Sequence, residues 1–262
     1  MNAVQIPKPE KVFTVDHLEV RVYATDDELA LAAAWEAGHW LRECLACQGN
    51  VAAILGAATS QIKFLKQLTT REDVDWSRIN LFHMDEYLGI SGDHSASFRR
   101  FIRERVAEPL KSRHVHYLEG DTTQPLEECE RYGRLLKAQP IDLCCLGIGE
   151  NGHLAFNDPA VADFGDRRTV KIVKLDLKCR MQQVGEGCFP HLPAVPQYAF
   201  TLTIPALCSA RKMVCVAPEK RKAPAVRDAL QGPIDPSCPA SVLRRQSHAV
   251  LCLDADSASL LA

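Results

Sequence analysis

Apolar and polar positions follow two periods along this chain, one typical of strands and one typical of helices. Short, wholly apolar runs such as 51–57 predict strands that are covered on both faces of a parallel sheet. The longest stretch of helical spacing is predicted to begin at a capping residue, Asp26 or Asp27, and to end at Gly49. Other strands are predicted at 17–25, 78–84, 114–120, 141–149, 169–176, 199–207, 212–218 and 248–254. Further helices are predicted at 60–70, 95–111, 125–139, 222–232 and 239–246.

This alternation predicts an α/β fold, a doubly wound, mostly parallel sheet with helices on both faces, which is Rossmann-like. No linker, repeat or low-complexity tract interrupts 1–262, so a single domain is expected. The last apolar run, 248–254, is expected to close the sheet. In such sheets ligands bind beyond the carboxyl ends of the strands, so the loops that follow strands are where chemistry is expected.

Composition narrows the range of functions. Hydrophobic residues make up 47% of the chain and charged residues 24%, which is typical of a globular protein rather than a disordered one. The net charge of −2 gives no reason to expect a nucleic-acid or membrane partner, and the basic cluster at 99–105 is interpreted as a solvated helix face. No apolar run reaches the roughly 20 residues that span a bilayer, and the N-terminus lacks the pattern of a secretory signal.

The eleven cysteines are interpreted as small core residues of a protein in the reducing cytoplasm. Those that lie within apolar runs include Cys144, Cys145, Cys215 and Cys252. The one suggestive spacing, "CLAC" at 44–47, ends a helix and has no second pair at zinc-ligand spacing. A redox or metal role there is therefore not favoured.

The first strand-end loop with candidate chemistry is "LGAATSQ" at 55–61. It leads into a helix, whose free N–H groups and dipole favour an anion such as phosphate, and Thr59 and Ser60 add hydroxyl donors. The loop has one glycine and no Gly-Lys-Ser/Thr ending, so it is not a Walker loop. A plain helix cap by Thr59 or Ser60 explains the same residues equally well.

The second loop is "HMDEYLG" at 83–89, where two adjacent carboxylates, Asp85 and Glu86, follow an apolar strand. Neighbouring side chains on an extended segment point in opposite directions, so at most one of the two faces a shared cleft. One candidate base and one structural acid is a reasonable division. Taken alone, the loop favours the simpler interpretation of two acids that cap the next helix.

The third loop, "GIGENGHLAFNDP" at 147–159, follows a buried strand and combines three glycines with His153. Histidine alone among these groups has an ordinary pKa near neutrality, which suits a proton shuttle. Asp158 could fix the tautomer of the imidazole, and Asn151 could orient a substrate hydroxyl. A metal site is less favoured, because the loop supplies no third ligand near His153 and Asp158.

A run of cations, Lys220, Arg221 and Lys222, starts the helix after the strand 212–218. Cations are unfavourable at the positive end of a helix dipole unless an anion lies between them. This position therefore points to a phosphate or carboxylate ligand, although exposed lysines are common in any chain.

At these residues the chain resembles the glucosamine-6-phosphate deaminase/isomerase family. "FHMDEYLG" is similar to the family's "MDEY" motif, and "GIGENGHLAFNDP" is similar to its glycine-histidine loop. "GDHSASF", "VPQYAFTLTIPAL" and "KRKAPAVRDALQG" follow in the same order, so the resemblance extends from about residue 25 to the end.

The resemblance implies a role for each candidate. Asp85 would move a proton between C2 and C1 of the sugar, and His153 would assist ring opening, helped by Asn151 and Asp158. The substrate phosphate would be held by hydroxyl and cationic groups, namely Thr59, Ser60 and Lys222. The implied reaction converts an aminosugar phosphate into a ketose phosphate and ammonia, through an enolamine and without a metal or an organic cofactor.

The chain departs from the family pattern at three points. Asp158 stands where the family often has Glu, and "AATSQI" lacks the glycine of the usual phosphate loop. Gly187 stands where a phosphate-binding arginine is expected, and Arg180 is predicted to substitute for it.

Three functions remain open at this point. The first is the deaminase, acting on glucosamine 6-phosphate. The second is another sugar-phosphate isomerase or a 6-phosphogluconolactonase-like hydrolase, which would release no ammonia. The third is a sugar-phosphate sensor without turnover, for which a base such as Asp85 would be unnecessary. The expected partner is a small sugar phosphate, and both a monomer and a homo-oligomer are compatible with the sequence.

Overall fold

The centre of the molecule is an eight-stranded, mostly parallel sheet, seen in a computed structural model that describes residues 5–261. Neighbouring strands run parallel, except that the first two pair antiparallel. In spatial order the strands are β1 (Lys11–Val15), β2 (Leu18–Tyr23), β11 (Ala249–Asp254), β10 (Lys212–Val216), β7 (Leu143–Leu146), β3 (Val51–Leu55), β4 (Ile79–His83) and β6 (Val115–His116). The predicted doubly wound sheet is confirmed.

Both faces of this sheet are buried, as the wholly apolar strands predict. In β3, Val51, Ala53 and Leu55 belong to one core, whereas Ala52 and Ile54 belong to the other. The first core is covered by α1 (Asp26–Cys47) and α2 (Ile62–Thr69). The second is covered by α5 (Pro125–Lys137), α7 (Ile204–Cys208) and α8 (Ala223–Gln231). Within residues 5–261, no helix is long and apolar enough to cross a membrane.

A second, antiparallel sheet lies beside the first and has the order β5 (Asp85–Tyr87), β9 (Tyr198–Leu202) and β8 (Val170–Lys174). It packs with α6 (Leu177–Gly185) around a small third core that contains Tyr87, Phe156 and Phe189. The ring of Tyr87 lies 5.1 Å from that of Phe156 and 5.3 Å from that of Phe189. This core joins β5 to the histidine loop, which carries Phe156.

The predicted helix at 95–111 forms with a local change of winding. It consists of α3 (Phe98–Ile102), a π-helical turn (Arg103–Ala107) and α4 (Glu108–Leu110). Ser97 caps its start by accepting a hydrogen bond from the N–H of Arg100, and Lys111 ends it with a left-handed φ of 51°.

Several sequence predictions are wrong in detail. The cap of α1 is Thr25, whose hydroxyl accepts from the N–H of Glu28, rather than Asp26 or Asp27. The predicted strand 199–207 stops at Leu202, because the hydroxyl of Thr203 caps α7. The run 239–246 is a 3₁₀ helix (Pro239–Arg245).

The sheet differs from the prediction at three further places. β1 and β5 are strands that the apolar pattern does not predict, and the predicted strand 114–120 is reduced to two residues. The run 248–254 forms β11, which lies inside the sheet between β2 and β10 rather than closing it.

Candidate active site

Loops that follow β3, β4 and β7 meet at the carboxyl edge of the main sheet, where they enclose a cavity of about 60 Å³. All three predicted loops contribute to its wall, and a 3₁₀ helix (Lys220–Lys222) after β10 completes it. The polar side chains of the wall include Ser60, Asp85, His153, Gln183, Glu186 and Lys222. The structure thus brings together residues that lie up to 162 positions apart in the chain.

Asp85 provides a candidate base. It begins β5 opposite Thr201 of β9, only 6% of it is exposed, and its Oδ1 atom has no hydrogen-bond partner within residues 5–261. Burial raises the pKa of Asp85 well above its ordinary value of 3.8, and the neighbouring charge of Glu86 adds to the effect. A buried carboxyl group with a free acceptor and a raised pKa is suited to removing a proton from carbon and returning it.

Glu86 is the structural member of the pair. Its carboxyl group accepts hydrogen bonds from the Ser97 hydroxyl at 2.7 Å and from the N–H groups of Phe98 at 3.1 Å and Arg99 at 2.8 Å. Burial raises its pKa, although these hydrogen bonds act in the opposite direction. Glu86 therefore caps the start of α3, while Asp85 faces the cavity.

His83 fixes the backbone that carries Asp85. Its Nε2 accepts from the N–H of Leu118 at 2.9 Å, so its Nδ1 carries the hydrogen and donates to the carbonyl oxygen of Asp85, also at 2.9 Å. Complete burial lowers the pKa of His83 to about 4. The ring is consequently neutral at physiological pH and acts as a rigid spacer rather than as an acid or base.

His153 and Asp158 form a second candidate station for proton transfer. The Nδ1 atom of His153 lies 3.1 Å from Oδ1 of Asp158, outside the alignment of a hydrogen bond, so the contact is electrostatic. Burial alone would raise the pKa of Asp158, but His153, the Asn151 amide and the N–H of Asp176 keep it below its ordinary value. Asp158 is therefore ionised beside the imidazole.

Asn151 holds this station in place from outside the cavity. Its Nδ2 donates to Asp158 at 3.0 Å and to Asp176 at 2.9 Å, and its Oδ1 accepts from the N–H of His153 at 3.1 Å. These contacts use the whole amide group. Asn151 is thus placed to position His153 and Asp158 rather than to touch a substrate hydroxyl.

Glycines in the histidine loop are needed for close approach. A Cβ atom at Gly149 would lie 2.2 Å from the His153 ring, and Gly152 has a left-handed φ of 82°. Ala155, in the cavity wall, also has a left-handed φ, of 52°. Strain of this kind is found at functional loops that their surroundings hold in place, here by the hydroxyl of Thr201, which accepts from the N–H of Phe156 at 3.1 Å.

The opposite end of the cavity collects groups that can bind an anion. Ser60 and Lys222 line it, and Arg221 donates to the Thr59 hydroxyl at 3.2 Å. Lys222 is 97% buried, yet it forms no ion pair with any of the residues 5–261, and burial lowers its pKa. An unpaired buried ammonium in a cavity wall indicates a site for a negative ligand.

Arg180 is not brought to this cluster. Its guanidinium donates instead to the carbonyl oxygens of Leu192 at 2.8 Å and Val195 at 2.9 Å, and the residue does not line the cavity. Arg221 is the arginine beside Thr59. In the sequence, Arg221 stands out only as part of a basic run and Glu186 belongs to no motif. His83 opens the loop 83–89, but no role was predicted for it.

The structure corrects the interpretation that no third metal-type ligand lies near His153 and Asp158. His153 and Asp158 do have a third metal-type neighbour, Cys179, with the candidate ligand atoms all within 4.8 Å of one another. Burial raises the pKa of the Cys179 thiol, which keeps it protonated and a poor ligand. At the end of α1, burial likewise raises the pKa of Cys44 to about 11, which is unlike a reactive dithiol.

Residues 24–172 match the model of the family of glucosamine-6-phosphate isomerases and 6-phosphogluconolactonases. The chain belongs to this family. Among its curated relatives, a glucosamine-6-phosphate deaminase of Exiguobacterium sibiricum is 34% identical over 73% of this chain and 74% of the relative. A protein of the same name from Listeria monocytogenes is 32% identical over 79% of this chain and 87% of the relative.

Solved structures show the same fold. A monomeric glucosamine-6-phosphate deaminase superposes with a TM-score of 0.84 and 28% identity, covering 92% of this chain and 99% of that one. A 6-phosphogluconolactonase of Thermotoga maritima superposes with a TM-score of 0.73 at 20% identity, covering 90% of this chain and 99% of that one. The second similarity concerns the fold alone.

Proposed function

We propose that this protein is a glucosamine-6-phosphate deaminase, which converts glucosamine 6-phosphate and water into fructose 6-phosphate and ammonia. The observation that carries the proposal is the unpartnered, buried carboxyl group of Asp85 in the same cavity as the His153–Asp158 pair. A ring-opening step and a carbon-to-carbon proton transfer need two separate proton-transfer stations, and these residues supply them. The names of the curated relatives support the same reaction.

In the proposed mechanism His153 transfers a proton between the ring oxygen and the C1 hydroxyl, and the pyranose opens. Asp85 then removes the hydrogen from C2 to form an enolamine and returns the proton to C1. The resulting ketose imine adds water at C2 and releases ammonia. Asn151 and Asp158 position the imidazole, and the raised pKa of Asp85 brings its proton affinity nearer to that required for abstraction from carbon.

We assign the substrate phosphate to the part of the cavity that Ser60 and Lys222 line, next to which Thr59 and Arg221 contact each other and Glu186. Arg221 replaces Arg180 in this assignment, because the guanidinium of Arg180 is engaged by the loop carbonyls at 192 and 195. We place the reaction in the cytoplasm, since all eleven cysteines are free, as expected in a reducing compartment.

The test is ammonia release from purified protein and glucosamine 6-phosphate. Asp85→Asn should reduce turnover by about 10²–10⁴-fold, because the amide cannot accept the C2 proton. Asp93→Asn, which removes one carboxylate from the exposed surface, is the control and should retain wild-type turnover. Acid release from a phosphogluconolactone without ammonia from the aminosugar would instead identify a lactonase, and equal turnover of wild type and Asp85→Asn would refute the assigned base.

A further inference from the structure

A carboxylate of the protein itself occupies the anion-binding end of the cavity. Glu186 follows α6 and lines the cavity, and its side chain is 6% exposed. Its Oε1 accepts from Arg221 at 2.6 Å and from Gln182 at 2.8 Å, and its Oε2 accepts from the Thr59 hydroxyl at 3.0 Å. These are charge-assisted contacts of the kind that a bound phosphate forms.

The carboxylate is stably ionised in this position. Burial alone would raise the pKa of Glu186, but the hydrogen bond from Gln182 and the charges of Arg221 and Lys222 keep it below its ordinary value of 4.5. Glu186 therefore supplies a permanent negative charge at neutral pH, set between the same hydroxyl and cation that are assigned to the substrate.

The local charge balance leaves little attraction for a second anion. Arg221 also pairs with Glu219 at 2.7 Å and with Glu150 at 3.3 Å, so the two cations Arg221 and Lys222 face three carboxylates. A phosphate dianion added to this cluster would be repelled unless one carboxylate withdraws. Of the three, only Glu186 lines the cavity.

The small size of the cavity also indicates that the Glu186 carboxylate withdraws when a phosphate binds. The cavity has only about 60 Å³ of internal space, so the side chains of its wall leave little room around a bound group. The side chains that α6 adds to the wall are Gln182 and Gln183, with Glu186 just after its end. Moving the end of α6 outward would therefore enlarge the cavity and remove the carboxylate in one step.

We propose that Glu186 is an internal competitor of the substrate's phosphate group, displaced from Arg221 and Thr59 when a phosphate monoester binds. The proposal rests on the assignment of the phosphate to this end of the cavity. It makes Glu186 a specificity-determining residue: a ligand must offer an anion that binds Arg221 and Lys222 better than a carboxylate does, and neutral sugars lack one. The energy of that displacement is subtracted from the affinity for every substrate and so appears in KM.

The test is the binding of inorganic phosphate to Glu186→Gln, measured by titration calorimetry. The amide keeps the size and hydrogen-bonding capacity of the side chain but removes its charge, so phosphate should bind about tenfold more tightly. Glu150→Gln is the matched control, because Glu150 pairs with the same arginine from outside the cavity and should change phosphate binding less than about twofold. A thermal melt of each variant shows that it is folded.

Turnover provides the second readout. In Glu186→Gln the KM for glucosamine 6-phosphate should fall by about the same factor as the dissociation constant of phosphate. Equal or weaker phosphate binding by Glu186→Gln than by wild type would overturn the proposal, since Glu186 would then only anchor Arg221. Tighter phosphate binding without ammonia release from any variant would retain the proposal and reject the deaminase, so the two failures are distinguishable.

Discussion

At the scale of the residue, the position that suits Asp85 to its proposed role as a base also makes the fold less stable. Its carboxyl group is buried, Oδ1 has no partner, and burial raises its pKa above the ordinary value of 3.8. Well below pH 3.8 the group is protonated whether the chain is folded or not, and it adds no pH-dependent cost. As the pH rises, the unfolded chain loses this proton first, so unfolding becomes more favourable until the folded pKa is passed.

Asp85→Asn should therefore be more stable than wild type at pH 8 and nearly equal to it at about pH 3. Each tenfold difference in proton affinity between the folded and unfolded states corresponds to about 1.4 kcal/mol. Urea unfolding at a series of pH values measures the difference. A stability gain that is constant across this range would show that the side chain acts through packing rather than through its charge.

Individual residues also show which parts of the site could be predicted from the sequence. Asp85 and His153 could be predicted because each belongs to a motif at a strand end, where the fold class places ligands. Glu186 could not, because its role depends on contacts with Thr59 and Arg221, which lie 127 positions before it and 35 after it. Arg180 was predicted because Gly187 stands where the family pattern has a phosphate-binding arginine. Only the fold shows that the guanidinium of Arg180 donates to other groups.

At the scale of the element, the short strand β5 decides where Asp85, the proposed base, is held. Apolar periodicity predicts the long strands of the main sheet, but β5 is three residues long and reads Asp-Glu-Tyr, which has no strand signature. It forms because β9 offers an antiparallel edge and because Tyr87 is buried in the third core. Tertiary packing, rather than local preference, creates this element.

Thr201 of β9 joins the two halves of the site. It lies opposite Asp85, and its buried hydroxyl accepts from the N–H of Phe156 and donates to the carbonyl oxygen of Leu202 at 3.0 Å. Thr201→Val keeps the shape but leaves that N–H without a partner, which should cost about 1–3 kcal/mol and reduce kcat. Denaturant unfolding and ammonia release measure the two effects.

Thr14→Val, on the exposed strand β1, is the control for that substitution and should change neither quantity appreciably. A Thr201→Val protein that loses stability but keeps its kcat would mean that the histidine loop is held by its other contacts. Those include the Asn157 amide, which donates to the carbonyl oxygens of Leu154 and Leu202.

At the scale of the whole molecule, a well-buried sheet carries one lightly anchored helix over its active site. All four residues of β7 are buried, whereas α6 buries only Cys179 and Gln183 and leaves Leu177 and Met181 each 58% exposed. Segments with few buried apolar contacts open at a smaller free energy than the core does. Backbone amides at 177–186 should therefore exchange hydrogen faster than those at 143–146.

Inorganic phosphate should accelerate exchange in α6 further, because it displaces Glu186 from Thr59 and Arg221, and it should leave β7 unchanged. Hydrogen exchange read by mass spectrometry measures this, with Glu186→Gln as the variant in which phosphate has little additional effect. Protection of α6 by phosphate in the wild-type protein would contradict the displacement.

During refolding, tryptophan fluorescence and ammonia release report on different sheets of the molecule. Trp35 and Trp40 lie on α1 and Trp76 lies beside β4, so all three tryptophans report on the main sheet and its helices. None lies in the small sheet that holds Asp85. Recovery of tryptophan fluorescence therefore follows assembly of the main sheet, whereas recovery of ammonia release also requires the small sheet. A lag of ammonia release behind fluorescence would show that the small sheet docks last.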